Sequence, residues 1–154
     1  MAVYNKPFTG VAVSTSNSTW QLIPTSTGMA RILEHYVGGE STTSTVLRSA
    51  LARNNAAGVG AVTAYTPNKL NPASVAAAST VNGALSANVS FATSQETLFD
   101  PLVLHTFNTF GGTDRWVPQP GEEIYLDNGV ANAISFRSLS GTPTVSGHLI
   151  FEEL

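Results

Sequence analysis

The chain has 154 residues, 42% of them hydrophobic, with a net charge of −3 and no cysteine. That is one domain's worth of core; it excludes disulfides, cysteine-based zinc sites and a cysteine nucleophile, and it disfavours nucleic acid as a partner, because phosphate neutralisation needs clustered Lys and Arg. Only 17 residues are charged against 34 Ser and Thr, so the polar surface must consist mainly of hydroxyls and amides. A strand-rich protein collects such residues; so does a protein whose surface docks against other subunits, because interface cores are poor in Lys, Glu and Asp.

The first eight residues form a short lead with Tyr4, Pro7 and Phe8. It is expected to be an extended N-terminal arm ahead of a domain spanning 9–154, with Tyr4 and Phe8 either tucked onto that domain or reaching a neighbour. The lead lacks the basic region and apolar core of a signal peptide, and no run in the chain approaches the ~20 apolar residues of a membrane span. The expectation is therefore a soluble protein made in the cytoplasm, with no membrane partner.

Val11 and Val13 alternate in a first strand, and Trp20 to Ile23 form a second, stopped by Pro24. Met29 to Val37 is read as a strand closed by Gly38-Gly39, although its propensity also suits a helix. Thr45 to Arg53 is harder, because Val46, Leu47, Ala50 and Leu51 fit a helical stripe; its hydroxyl-rich neighbours favour a strand. Ala56 to Thr66 alternates weakly and stops at Pro67, and a turn cluster follows up to Pro72. Ala73 to Ala92 is mostly small residues with Val75, Val81, Leu85, Val89 and Phe91 as anchors, suited to closely approaching sheets or subunits, or to a surface loop.

After a turn at Glu96 to Pro101 containing Phe99, the strand Leu102 to Phe107 is apolar enough on both sides to be buried on both. Gly111-Gly112 turns the chain into Asp114–Val117, which Pro118 and Pro120 end. The rest is the clearest stretch. Ile124 and Leu126, Ile134 and Phe136, then Val145, Leu149 and Phe151 alternate between the turn sequences Asp127-Asn128-Gly129 and Ser140-Gly141-Thr142-Pro143. About ten short strands at such spacing indicate an all-β, antiparallel β-sandwich.

Motifs that carry chemistry are lacking. His35, His105 and His148 lie on different strands without metal-ligand spacing, so no metal or other cofactor is expected. Ser146, His148 and Glu152 share one strand face and read as a polar stripe, and no Gly-x-Ser-x-Gly elbow is present. Glu122-Glu123 and Glu152-Glu153 are adjacent pairs that point to opposite faces. No catalytic residue is assigned, and the expectation is a protein that is not an enzyme. Trp116, between Asp114-Arg115 and Pro118, is the best contact candidate: it is either a platform on which a sugar stacks or a cover for one end of the core.

The run Thr109-Phe110-Gly111-Gly112-Thr113-Asp114-Arg115-Trp116-Val117-Pro118, continued by Pro120-Gly121-Glu122-Glu123-Ile124, and the ending Ser146 to Glu153 resemble tailed-phage virion proteins of the capsid decoration (cement) type. The resemblance covers mainly the last third of the chain. It implies a jelly-roll-like sandwich, a homo-oligomer with trimers favoured, contacts with the major capsid protein, and a place in the virion after assembly in the host cytoplasm. On that reading Tyr4, Phe8 and Trp116 are the interface candidates. The second expectation is a carbohydrate-binding or host-recognition module of a phage tail or fibre.

Overall fold

The computed structural model describes residues 1–16, 18–25, 27–54, 63–83, 101–128 and 133–154. Within them the chain forms twelve strands: β1 (Ala2–Ala12), β2 (Ser18–Ile23), β3 (Ala30–Glu40), β4 (Val46–Asn54), β5 (Thr63–Tyr65), β6 (Asn68–Lys69), β7 (Thr80–Gly83), β8 (Pro101–Asn108), β9 (Phe110–Trp116), β10 (Ile124–Leu126), β11 (Ala133–Ser140) and β12 (Thr144–Glu153). The readings at 56–62, Leu85, Val89, Phe91, Phe99 and Gly129 lie outside the described residues.

The topology follows from folding the chain back on itself as one long ribbon. The first four strands pair antiparallel, in order, with β12, β11, β9 and β8. The ribbon is then rolled, so that β12 also pairs with β3 and β11 also pairs with β4. The result is two packed sheets, one ordered β6-β1-β12-β3 with β10 and β9 sharing the far edge of β3, the other ordered β5-β7-β2-β11-β4-β8. This is an antiparallel β-sandwich. The short strands β5, β6, β7 and β10 extend its edges.

Residues 1–8 are not an arm. They are the first part of β1, hydrogen-bonded along β12 on one side and to β6 on the other. Tyr4 and Phe8 face the core at 0% and 6% exposure, and the Tyr4 ring lies 5.5 Å from Phe151. The physical reason is a bulge. Between Phe8 and Val11 the register against β12 shifts, and Gly10 there takes φ +62°, a left-handed conformation that glycine adopts without steric cost. The inserted residue changes which parity faces inward, so Tyr4 and Phe8 before it and Val11 and Val13 after it all reach the core.

A similar shift occurs in β3, where Phe151 pairs with Ile32 but Ile150 with Glu34, leaving Leu33 unmatched. Ile32 and His35 therefore share the inner side although they are three positions apart. The strand continues through Gly38-Gly39, which do not close it. Gly147 on β12 sits where β1 and β3 crowd closest, and a Cβ there would run into the Tyr36 carbonyl and lie 2.8 Å from the Phe8 ring. Gly147→Ala is expected to destabilise the fold by about 1–3 kcal/mol, as overpacked cores do. A thermal melt unchanged from the parent would contradict this placement of β12 against Phe8.

Candidate functional site

Strand β8 is the last strand of its sheet among the described residues, paired only with β4. Its alternation is clean. Val103, His105 and Phe107 point to the core, while Leu102 and Leu104 stand outward at 41% and 62% exposure. The expectation that both faces of this strand are buried fails because the chain forms two packed sheets, so only one face of each strand meets the core, and among the described residues no further sheet covers the other face of β8. Val46, paired with Asn108, and Phe110, just past the strand, are exposed as well. No Asp, Glu, Lys or Arg occurs in Pro101–Asn108. Edge strands are ordinarily protected from pairing by charge, proline or bulges; here the one proline starts the strand, and the one register shift leaves Leu102 of β8 unmatched between Pro101, opposite Ala52, and Val103, opposite Leu51.

Behind that strand lies a buried imidazole pair. His35 from β3 and His105 from β8 belong to opposite sheets, and His35 Nδ1 meets His105 Nε2 at 2.9 Å. Asp114 of β9 places Oδ2 3.2 Å from His105 Nδ1, a close contact in which that nitrogen makes no hydrogen bond of good geometry among the described residues. A carboxylate favours a proton on the nitrogen that faces it. His105 therefore carries hydrogen on Nδ1 and accepts at Nε2, which makes His35 Nδ1 the donor. His35 Nε2 is left buried with no hydrogen-bond partner among the described residues. Phe136 lies 4.8 Å from His35, Trp20 5.3 Å and Phe8 6.3 Å, ring centre to ring centre. Burial pushes the His35 imidazole well below its ordinary range, and the neighbouring His105 and His148 add to the effect. Burial lowers His105 too, with Asp114 opposing it.

Ser49 is the cross-strand neighbour of His105, and its hydroxyl is buried without a partner among the described residues. Serine, histidine and aspartate thus gather in the core, but Ser49, His35 and His105 are exposed by 0%, 0% and 1%. What this arrangement can do is tie the two sheets together in a way that depends on protonation. His148 takes no part. It lies on the outer face of its sheet, bonded to Glu34 at 2.9 Å and stacked on Tyr36. Two of the three histidines converge, and among the described residues no group of three His, Asp or Glu side chains is placed to hold a metal.

The outer face of that sheet carries the polar stripe. Ser146, His148 and Glu152 do share it, but each bonds across to β3 and not to the others: Ser146 to Glu40, His148 to Glu34, Glu152 to Arg31. Arg115 grips Glu34 with two bonds of 2.8 and 2.7 Å and, as the main cause, holds that carboxyl below its ordinary range. Trp116 is separated from this chemistry. On β9, Asp114 reaches the buried His105 and Arg115 reaches the outer Glu34, so the two lie on opposite faces. Trp116, paired with His35 and packed against the core, covers its end. Of the three interface candidates, Tyr4 and Phe8 are core residues and Trp116 is partly so.

The residues that sequence reasoning missed are Leu102, Leu104 and Phe110. The absence of charge over Pro101–Asn108 is the signal that points to them. Comparisons of the chain with protein-family models, curated proteins and solved structures return no match.

Proposed function

We propose that this chain is a non-catalytic assembly subunit, most specifically a capsid decoration (cement) protein that stabilises a virion through protein–protein contacts. The observation that carries the reading is the edge of β8, uncharged along its length, with Leu102 and Leu104 turned to solvent. Among the described residues β8 is the last strand of its sheet, and such an edge templates further pairing; exposed apolar patches on folded proteins, like the outward Leu102 and Leu104, mark contact sites. The paucity of charge across the whole sequence supports the same reading. A two-sheet sandwich is a compatible scaffold, since the jelly rolls of viral capsid domains are built that way, although a fold by itself does not define a function. A role in carbohydrate recognition gains nothing from Trp116, which packs against the core.

Multi-angle light scattering on the purified chain should show a stable oligomer, with a trimer expected. Leu104→Lys should shift it to monomer while leaving a folded β-sheet circular dichroism spectrum, because Leu104 is 62% exposed and contributes little to its own core. A strictly monomeric parent chain with no affinity for capsids would overturn the proposal.

A further inference from the structure

At one end of the sandwich the β3–β4 loop and the β11–β12 hairpin face each other across a shallow, open groove of about 380 Å³. Ser41, Thr43 and Thr45 form one wall; Thr142, Pro143 and Thr144 form the other. Both walls are braced from beneath by a buried hydroxyl. Thr109 contacts the carbonyls of Thr43 and Thr45 and the Thr45 hydroxyl through its Oγ1, and its backbone bonds both Ser41 and Thr45. Ser138 donates to the Gly141 carbonyl, and the Pro143 carbonyl accepts from Val13. The hydroxyls of Ser41, Thr43, Thr142 and Thr144 make no hydrogen bond among the described residues.

We infer that this groove is a binding site for a neutral saccharide. No lining residue ionises, so an anion or cation would lose its hydration without gaining a counter-charge. A purely apolar ligand would leave the four free hydroxyls unpaired on burial. A polyol suits them, because each hydroxyl on either side both donates and accepts, while the Pro143 ring and the threonine methyls offer apolar surface to sugar C–H groups. Phe110, 64% exposed, pairs with Glu40 immediately before this loop and places an aromatic ring beside the same end. Walls tied down by the Thr109 and Ser138 hydrogen bonds have less conformational freedom to lose on binding.

The test is an amide NMR titration of the full chain with glucose, galactose, mannose and N-acetylglucosamine and their short oligomers at millimolar concentrations. At least one should produce saturable shifts confined to 41–45, 109–110, 141–142 and 144. The near-isosteric double variant Thr43→Val/Thr142→Val should retain its melting temperature and bind about tenfold more weakly, two neutral hydrogen bonds being worth roughly that factor. Absence of shifts with every sugar, shifts elsewhere, or undiminished binding by the double variant would overturn the site, as would preference for a Ser/Thr-free peptide over all the sugars. The outcome is independent of the assembly proposal: Leu104→Lys should leave sugar binding intact, and the double valine variant should still oligomerise.

Discussion

Phe136→Ala is expected to cost about 3–5 kcal/mol, the range for truncating a fully buried aromatic, out of a total stability on the order of 5–15 kcal/mol. Phe136 sits at 0% exposure on the second strand in from the β8 edge. Its ring lies 6.1 Å from Trp20 of its own sheet, 6.3 Å from Phe8 of the facing sheet, and 4.8 and 6.3 Å from the two core histidines. Removing it takes away a contact shared by both sheets and opens space beside His35 Nε2, an atom that has no partner among the described residues to begin with. Urea unfolding should show the loss as a lower midpoint, and Phe136→Leu should recover part of it by refilling the space. A loss below about 1 kcal/mol would mean that the two sheets are not packed through this ring.

The contrast between the legible and the hidden parts of this fold comes from where alternation survives. In β11 and β12 the inward residues Ile134, Phe136, Val145, Leu149 and Phe151 keep one parity within each strand, and so the strands could be read directly. In β1 the Gly10 bulge switches parity, which made Tyr4 and Phe8 look separate from Val11 and Val13 and produced the expectation of an arm. In β3 the unmatched Leu33 put Ile32 and His35 at a helical spacing. For β4 the helical stripe was misleading, and the strand reading agrees with the pairing of Val46–Asn54 to β8 and β11.

The candidate sites were hidden for a different reason, since long-range pairing creates them. His35 and His105 are 70 residues apart and meet because the rolled ribbon sets β3 over β8. The walls of the hydroxyl groove, each an ordinary turn sequence, are brought together by the same roll. Apolar residues on both faces of Leu102–Phe107 say nothing about whether a further sheet covers the outer one. What the sequence did carry was the lack of charge there, a composition signal with no geometry attached.

Acidification should destabilise the fold earlier than ordinary carboxylate titration would. His35 and His105 are both held below the usual imidazole range, chiefly by burial, so they remain neutral in the folded state where the unfolded chain takes up protons. The sign follows from linkage: where the unfolded state binds more protons, stability rises with pH. Their contribution is complete above the unfolded imidazole value of about 6.5 and is lost as pH falls below it, at about 1.4 kcal/mol per pH unit for each histidine until its folded-state value is reached. Asp114, which faces His105, moderates the loss; Glu34 and Arg115 lie with His148 on the outer face. Glu34, itself depressed mainly by Arg115, adds its own loss only below the carboxylate range of about 4.3, so the two windows are separate. Urea midpoints measured between about pH 7.5 and 5 should therefore fall steadily for the parent chain. They should fall much less for His35→Leu/His105→Leu, which removes both imidazoles together and avoids stranding either one. A parent chain equally stable across that interval would show that the pair accepts a proton without cost, and that it is not the buried, neutral link between sheets that its geometry describes.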